Sequence, residues 1–346
     1  KAIEDACNIE VSDQNKDLRR LLLAGQMIQS HALHLYLLVL PDFVGASSSF
    51  ELQNTHSEHF KNAVRLKHLA DEIVKTVASR AVHPVSNVPG GFKHFPDKSA
   101  LKKVFDTAKK SEHIAFETLK LFLTFDYPQV ARKNIYSALS SDKEYAFYDG
   151  VITDTTENSW QPKNYRHYIY EELVPYNRAK FGTLKGHTMM VGAMARFNLN
   201  WQHLPKSFLA QMQELNISHQ LNNPFDNIVA QANENYYFVI LANNLLEKFI
   251  KEDITEESLL EPKSFGHGTS ACEAPRGTLF HHYELDKEGY IVKADIITPT
   301  VQNLPSMEYD MKNLSPILEG KSREEINYLI EMLIRGYDPC ITCATH

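Results

Sequence analysis

Cysteine is scarce in this sequence, with four residues among 346. Cys7 and Cys272 stand alone, whereas Cys340 and Cys343 lie together near the last residue. Small secreted domains that depend on disulfides have more cysteines at more regular spacing. The scarcity therefore excludes a disulfide framework and predicts a reducing, cytoplasmic setting, in which the terminal pair serves metal binding or redox chemistry.

Concentrated positive charge is also lacking. The chain has 36 Lys and Arg against 43 Asp and Glu, which gives a formal net charge of −7. Proteins that bind nucleic acids use clustered Lys and Arg to contact phosphates. The composition therefore gives no electrostatic reason to expect nucleic acid as a partner.

A long uninterrupted apolar run is missing as well. Residues 21–40, LLLAGQMIQSHALHLYLLVL, are long enough to cross a bilayer, but Gln26, Gln29, His31 and His34 interrupt the run. Polar groups are costly in hydrocarbon, whereas a protein interior can supply hydrogen-bond partners. The run is therefore predicted to be a buried helix and not a membrane span, with its histidines as hydrogen-bonded core residues.

Helical periodicity dominates the rest of the chain. Helices are predicted at about 14–40 (ending at Pro41), 51–80, 100–124, 206–217, 224–252 and 322–336. Short strands are predicted over 136–156, and a β-hairpin over 277–298. Neither a repeat nor a linker divides the sequence. The prediction is a mainly α fold (α+β), a long-helix bundle with a small β element, that forms one domain over residues 1–346.

The last residues, 338–346, read DPCITCATH. Two cysteines at C-x-x-C spacing can present both thiolates to one metal, and soft sulfur favours zinc, nickel, copper(I) or iron. A redox dithiol and half of a structural zinc site have the same spacing. A redox pair normally opens a helix after a strand, and a zinc site would need a second ligand pair. The spacing favours a soft metal and leaves the other two interpretations open.

A second cue is the segment EAPRGTLFHHY, residues 273–283. Arg276 stands between Pro275 and Gly277, where a rigid turn would fix its guanidinium. A surface arginine in a tight turn is the common interpretation of such a tripeptide. The alternative is a fixed cation over an active site, because arginine stays charged and presents a planar fork of donors to an anionic ligand.

Four segments, QSHALHLYLLVLPDF, VGAMARFN, EAPRGTLFHHY and DPCITCATH, resemble the large subunit of nickel–iron hydrogenases. The resemblance covers essentially the whole chain and is greatest to the cytoplasmic, methyl-viologen-reducing type that is associated with heterodisulfide reductase in methanogens. It implies the catalytic subunit of a heteromeric oxidoreductase in hydrogen metabolism and methanogenesis. Such an enzyme cleaves H2 reversibly and heterolytically, and passes the electrons to a small iron–sulfur subunit.

The resemblance also implies roles for individual residues. Cys340 would be a terminal nickel ligand and a candidate proton acceptor, and Cys343 would bridge nickel to an iron that carries CO and cyanide. Arg276 would lie over this centre, held by the carboxylates of Asp42 and Asp338. Without the resemblance, Asp42 would be interpreted as an ordinary helix-end carboxylate.

Further ligands follow from the same resemblance. Pro275, Arg276 and Thr300 match cyanide-binding positions, and His346 matches a ligand to a separate Mg2+ or Fe2+ ion. A lone Thr300 would otherwise be a strand-end hydroxyl bonded to its own backbone. A relay of several iron–sulfur clusters needs the usual four cysteines for each cluster, and this chain has four cysteines in all. The clusters are therefore expected on the partner subunit. Electron-transfer subunits of the heterodisulfide reductase type could join the complex.

The sequence departs from the family pattern in several places. The family's N-terminal C-G-x-C motif, the source of two more nickel ligands, is absent, and we expect it to precede Lys1. The end at His346 resembles the mature, processed form. Ala193 stands where a proline is usual, and Gln302–Asn303 replaces a Trp–Asn pair. The alternative function is a non-catalytic relative that serves as a structural or coupling subunit of an electron-transfer complex; the retained C-x-x-C pair argues against it.

Overall fold

A computed structural model describes residues 1–130 and 132–345. Its α-helices are α1 (Ala2–Ala6), α2 (Asp13–Leu33), α3 (Leu40–Val44), α4 (Ser49–Thr55), α5 (Ser57–Ala78), α6 (Lys98–Leu123), α7 (Ala193–Asn200), α8 (Lys206–Glu214), α9 (Asp226–Glu252), α10 (Pro299–Asn313), α11 (Ser315–Leu318), α12 (Arg323–Tyr337) and α13 (Ile341–Ala344). Its strands are β1 (Asn87–Val88), β2 (Gly91–Phe92), β3 (Ile135–Ser140), β4 (Val151–Asp154), β5 (Ser159–Trp160), β6 (Ile169–Leu173), β7 (Lys180–Leu184), β8 (Met189–Met190), β9 (His267–Ala274), β10 (Gly277–Leu285) and β11 (Ile291–Ile297). The prediction of a mainly α fold with a small β element is confirmed.

The chain divides into two compact units. Unit 1 comprises Lys1–Thr124, Gln231–Thr269 and His282–Ala294, and unit 2 comprises Phe125–Ala230, Ser270–His281 and the chain from Asp295 onward. Because the chain alternates between the units, no single cut in the sequence separates them. The prediction of one domain stays a prediction.

In unit 1, α2 packs along α5, and α5 packs against α6. The helices bury apolar faces, as their periodicity requires. Gly25 of α2 lies at a close approach to α5, because a Cβ added there would lie 3.0 Å from Cγ2 of Ile73. The side chain of Ser12 caps α2 by accepting a hydrogen bond from the backbone N–H of Asn15 at 3.1 Å.

The run at residues 21–40 is helical and largely buried, as predicted, but it is not one regular α-helix. After α2, a π-helical segment covers His34–Val39, and α3 follows directly. Pro41 lies inside α3 and does not end the helix. A proline has no N–H, and its ring crowds the carbonyl four residues earlier, so the wider π turn ahead of Pro41 accommodates it.

The two histidines of this run are buried hydrogen-bonded residues, as predicted. His31 Nε2 is hydrogen-bonded to Oε2 of Glu234 at 2.9 Å, and His34 Nδ1 is hydrogen-bonded to Oε1 of Gln231. Both partners lie on α9 within unit 1. Across residues 1–130 and 132–345, no one helix is apolar and long enough to span a bilayer, although Asp13–Val44 and Ser49–Thr55, bent by 71°, would pass on length and composition as a pair.

In unit 2, a four-stranded sheet has the order β5–β4–β3–β8, with β8 parallel to β3 and the other neighbours antiparallel. Strands β6 and β7 form a separate hairpin. An apolar core is built around this sheet from buried side chains far apart in sequence. Its members are Leu139, Ala146, Ile152, Trp160, Tyr165, Ile169, Leu184, Met189, Val191, Ala271, Phe280 and Ile297.

Two elements near the site differ from the sequence-based prediction. The hairpin predicted over 277–298 is present as β10 and β11, but β9 pairs with β10 as a third strand that was not predicted. Small and polar residues make up most of β9 (HGTSACEA), so it lacks the apolar alternation typical of strands. Helix α10 was also missed, because Pro305 lies in its interior and proline usually breaks a helix.

Candidate active site

Arg276 and Asp338 form an ion pair in unit 2. Arg276 lies in the turn between β9 and β10, and Asp338 follows α12. Arg276 Nε donates to the backbone oxygen of Asp338 at 2.6 Å, and Nη2 donates to Oδ1 at 2.7 Å. The Asp338 side chain is buried, whereas that of Arg276 is 28% exposed. The contact predicted between these two residues is therefore present.

Nη1, the other terminal nitrogen of Arg276, has no hydrogen-bond partner among the described residues of unit 2. Asp42, the second carboxylate expected to hold Arg276, lies on α3 in unit 1 and is half-buried. Its proposed partnership with Arg276 stays a prediction.

Two glycines allow the backbone at Arg276 to touch the segment that precedes α7. Gly192 has φ 111° and Gly277 has φ 132°, a region that side chains with a Cβ rarely adopt. A Cβ on Gly192 would lie 3.0 Å from the carbonyl oxygen of Arg276, and a Cβ on Gly277 would lie 2.8 Å from the nitrogen of Gly192. Both conformation and space therefore require glycine at these positions.

Asn303 of α10 joins the same two segments. Its Oδ1 accepts a hydrogen bond from the N–H of Val191 at 2.8 Å, and its Nδ2 donates to the carbonyl oxygens of Val191 at 3.3 Å and Arg276 at 3.5 Å. The neighbouring Gln302 donates through Nε2 to the carbonyl of Thr278 at 2.7 Å. The pair Gln302–Asn303 thus fastens α10 to the backbone on both sides of Gly277.

Ala193 is the first residue of α7 and is buried. The first helical position tolerates proline, because the N–H there has no partner within the helix. The usual proline of the family and the alanine of this chain are therefore both compatible with the same helix start.

A buried ion pair supports the Arg276 turn. Arg196 of α7 and Glu273 of β9 both have fully buried side chains, with Nη1 of Arg196 2.9 Å from Oε2 of Glu273. Arg196 also donates from Nη1 to the carbonyl of Ala274 and from Nη2 to that of Pro275, each at 3.0 Å. Both residues belong to motifs that carry the family resemblance, but the motifs alone assign them no role.

Glu273 makes two further contacts. Its Oε1 accepts hydrogen bonds from the N–H of Leu139 at 2.8 Å and from the hydroxyl of Thr278 at 2.7 Å. Burial raises the pKa of Glu273 above its ordinary value, and the charge of Arg196 and these donors oppose the rise. The sequence did contain one signal for this network, because Glu273 is a charged residue in the run of small residues that forms β9.

Thr300 connects α10 to the C-x-x-C segment. It is in the first turn of α10, and its Oγ1 accepts a hydrogen bond from the backbone N–H of Cys340 at 3.0 Å. The interpretation of Thr300 as a strand-end hydroxyl bonded to its own backbone is therefore wrong. Its position beside Cys340 follows from a helix that was not predicted.

The C-x-x-C cysteines lie in one turn. Cys340 and Cys343 are joined by a disulfide, with Sγ atoms 2.11 Å and Cα atoms 5.3 Å apart. Cys340 is half-buried and Cys343 is exposed. Beyond them, Thr345 forms a bridge with Ala179, and Ala344 is buried in an apolar cluster that also contains Ala179, Phe181, Val301 and Leu304.

The donor set fits part of a nickel–iron site. In their reduced form the two cysteines offer soft thiolate donors close enough to bind one metal. The described parts of the chain contain no cluster of three or more His, Cys, Asp or Glu suited to a metal, and neither Cys7 nor Cys272 forms a disulfide there. His346, the predicted ligand to Mg2+ or Fe2+, lies outside the described residues.

Comparison with known proteins identifies the family. A family model for nickel-dependent hydrogenase matches residues 91–346. The alpha chain of sulfhydrogenase 1 from Pyrococcus furiosus is 35% identical over 100% of this chain and 81% of its own length. A relative from Methanothermobacter thermautotrophicus, named as one subunit of an F420-non-reducing hydrogenase, is 29% identical over 95% of this chain and 75% of its own length.

Solved structures share the fold. An NAD+-reducing [NiFe]-hydrogenase in the H2-reduced state superposes with a TM-score of 0.89 at 23% identity, covering 100% of this chain and 83% of its own. The [NiFeSe]-hydrogenase of Dm. baculatum gives a TM-score of 0.72 at 17% identity, covering 100% and 85%. The resemblance inferred from four sequence segments, including the match to the methyl-viologen-reducing type, is thereby confirmed. This chain belongs to the nickel-dependent hydrogenase family and is the catalytic large subunit of an oxidoreductase that acts on H2.

Proposed function

We propose that this chain cleaves H2 heterolytically at a nickel–iron centre bound by Cys340 and Cys343, with Arg276 as the fixed cation beside it. The observation that carries the proposal is the double hydrogen bond from Arg276 to Asp338, two residues before Cys340. A guanidinium held through Nε and Nη2 has one orientation, so Nη1 is directed by the protein and not by solvent.

The chain's own residues have separable parts in this reaction. When bound, the metals supply Lewis acidity and accept the electrons. Sγ of Cys340 is the proposed proton acceptor, and the hydrogen bond from the backbone N–H of Cys340 to Thr300 restrains the backbone that carries this sulfur. Arg276 keeps its positive charge at every physiological pH, so it stabilises negative charge in the site without exchanging a proton.

We also propose that iron carries CO and cyanide ligands. The nitrogen of a bound cyanide needs hydrogen-bond donors in a site with little water. Candidate donors are the N–H groups of Arg276 and the hydroxyl of Thr300, with Pro275 shaping the pocket. The Thr300 oxygen accepts from Cys340, which leaves the hydroxyl hydrogen for donation.

The remaining parts of the proposal concern partners and further ions. His346 would bind a Mg2+ or Fe2+ ion. The relatives are named as parts of larger enzymes, which supports a multi-subunit enzyme. Because this chain has four cysteines, the iron–sulfur relay would reside on a small partner subunit, joined by electron-transfer subunits of the heterodisulfide reductase type. The complex would work in the cytoplasm.

The test is metal analysis and infrared spectroscopy of the chain purified anaerobically with its partner. We expect stoichiometric nickel, infrared bands of metal-bound CO and CN, and H2-dependent dye reduction. Cys343→Ser should lose nickel, bands and activity together, whereas Cys272→Ser, at a cysteine outside the C-x-x-C pair, should keep all three. A fully assembled complex with neither nickel nor these bands would favour the non-catalytic coupling subunit.

A further inference from the structure

We propose that Arg196 and Glu273 act as positioning residues for Arg276, an inference that rests on the proposed function of that arginine. The two side chains form a clamp beneath the turn 274–277 and fix the backbone from which the Arg276 side chain emerges. Arg196 donates hydrogen bonds to the backbone of the turn itself and is held by Glu273, so the clamp acts on the site through Arg276.

The first step in the argument is what Arg196 holds. Its guanidinium divides its donors among the carboxylate of Glu273 and the carbonyls of Ala274 and Pro275, the two residues immediately before Arg276. Each carbonyl defines the plane of the peptide that follows it. Two fixed peptide planes in succession set the positions of N and Cα of Arg276 and so restrict the directions in which its Cα–Cβ bond can point.

The second step is what Glu273 holds. It lies near the end of β9, and its Oε1 accepts a hydrogen bond from the hydroxyl of Thr278 near the start of β10. One carboxylate therefore links the two strands on either side of the turn. The hydrogen bond from the N–H of Leu139 adds a tie to β3. The turn therefore cannot shift without breaking a hydrogen bond to a buried, charged group.

The third step is why the pair is ionic. A fully buried ion pair is weak evidence for stability, since its removal from water is costly and an apolar pair of equal volume can be as stable. An apolar pair could not bond the carbonyls of Ala274 and Pro275. A lysine in place of Arg196 would keep the charge but could not serve the carboxylate and both carbonyls from a planar fork. The geometry therefore requires arginine for placement of the turn.

Unit 1 offers a matched control. Arg19 and Glu4 form another buried bidentate pair, with distances of 2.8 and 2.6 Å and both side chains 6% exposed. Arg19 also donates hydrogen bonds to Oδ1 of Asn87 and to the carbonyl of Val88. None of these four residues belongs to the candidate site. Arg19→Lys thus removes a comparable fork without touching the Arg276 turn.

The experiment compares Arg196→Lys and Arg19→Lys in the nickel-loaded complex with its partner. Two quantities are measured, namely hydrogen–deuterium exchange at the amides of Arg276 and Gly277, and turnover per bound nickel. We expect Arg196→Lys to speed amide exchange at least about tenfold and lower turnover per nickel about tenfold, with unchanged KM for H2. Arg19→Lys should lower the thermal midpoint and leave both quantities as in the unmodified protein.

A double variant separates the inference from the proposal on which it rests. On an Arg276→Lys background, adding Arg196→Lys should lower turnover less than twofold, because both changes act through one group. The clamp would be overturned if the losses of turnover caused by Arg276→Lys and Arg196→Lys multiplied fully. It would also be overturned if amide exchange in Arg196→Lys were no faster than in Arg19→Lys. Normal turnover of Arg276→Lys alone would instead refute the catalytic role of Arg276, while amide exchange would still decide the clamp.

A milder substitution covers the case in which Arg196→Lys does not assemble. Thr278→Val removes one hydrogen-bond donor from the Glu273 carboxylate and preserves shape. It should speed exchange at Gly277 about threefold and leave nickel content unchanged. Exchange equal to that of the unmodified protein would overturn the proposal.

Discussion

The backbone N–H of Cys340 donates a hydrogen bond to Oγ1 of Thr300 at 3.0 Å. Two residues earlier, Asp338 receives both hydrogen bonds of Arg276. The start of the C-x-x-C segment is thus held by a helix and by a turn, which come from separate parts of the sequence. Together with the cysteine spacing, these two contacts position the backbone from which the two cysteine side chains extend.

The contact between Thr300 and Cys340 can be tested by Thr300→Val, which keeps the shape and removes the acceptor. A lost hydrogen bond of this kind costs about 1 kcal/mol, and a proposed cyanide donor is lost with it. We expect a chain that still binds nickel, with shifted infrared CN bands and a lower thermal midpoint.

Thr298→Val, just before α10, is the matched control. The Thr298 hydroxyl is buried and has no hydrogen-bond partner among residues 1–130 and 132–345, so its removal should leave stability unchanged or raise it. Unshifted CN bands in Thr300→Val, or equal shifts in both variants, would remove Thr300 from the cyanide site.

Arg276→Lys tests the fixed cation. Lysine keeps the charge but cannot bond the carbonyl and the carboxylate of Asp338 through a planar fork. We expect nickel content to be retained and H2 oxidation per nickel to fall about 100-fold, which corresponds to ~2.7 kcal/mol of transition-state stabilisation. Arg166→Lys, at an exposed ion pair with Asp295, should keep full activity. Unimpaired turnover in Arg276→Lys would exclude the guanidinium from the mechanism.

Glu4 gives a pH prediction for unit 1. Burial alone would raise its pKa, but hydrogen bonds from Arg19 and from the N–H of Gly90, with nearby positive charge, lower the pKa to about 2. Because the folded pKa lies below the ordinary value, Glu4 stabilises the fold above about pH 4.5, and this contribution is lost as the pH falls towards 2.

Glu4→Gln should therefore lower stability at pH 7 by ~2–3 kcal/mol and flatten the loss of stability between pH 5 and 3. Denaturant unfolding at several pH values measures both effects. Glu58→Gln, at an exposed pair with Lys61, should be as stable as the unmodified protein at every pH. An unchanged acid limb in Glu4→Gln would mean that another group dominates this pH range.

Much of the helical scaffold could be predicted because long amphipathic helices carry their burial pattern in the local sequence. The predicted boundaries of α6 and α12 lie within two residues of those observed. Helix α10 was missed for a physical reason, since Pro305 lies in its interior and proline usually breaks a helix. The helix packs against β7, β8 and α12, and local sequence patterns cannot reveal such contacts.

The candidate site residues differ in the same respect. Cys340, Cys343 and Arg276 could be proposed as site residues from the sequence, because their chemistry is visible in short motifs. Arg196 and Asn303 were not, because their significance depends on which backbone carbonyls they reach after folding. Arg196 bonds residues nearly 80 positions away, and Asn303 bonds Val191, 112 positions away. No spacing rule within one element predicts such partners.

Tyr337, the residue before Asp338, supports the last prediction. Its buried hydroxyl donates to Oδ2 of Asp310 and is hydrogen-bonded to the hydroxyl of Ser306 at 3.1 Å, and Arg132 donates to Oδ1 of Asp310. Burial and the charge of Asp310 raise the pKa of Tyr337 well above its ordinary value, so the hydroxyl stays protonated. The network thus holds the end of α12 next to the contact made by Arg276.

Tyr337→Phe should cost ~1.5–3 kcal/mol, because a buried carboxylate loses one donor while the ring keeps its packing. A tyrosine whose folded pKa is raised stabilises the fold below its ordinary pKa near 10, and that contribution is lost only above it. The difference between the variant and the unmodified chain should therefore be constant from pH 6 to 9, as measured by denaturant unfolding.

Tyr309→Phe on α10 separates the hydrogen bond from a general effect of losing a hydroxyl. The Tyr309 side chain is 50% exposed and its ring lies over the guanidinium of Arg132, 4.7 Å from its centroid. Phenylalanine keeps that stacking, so the variant should stay within about 0.5 kcal/mol of the unmodified chain. Equal losses in the two variants, or a Tyr337→Phe difference that changes with pH below 9, would show that Asp310 does not depend on the Tyr337 hydroxyl.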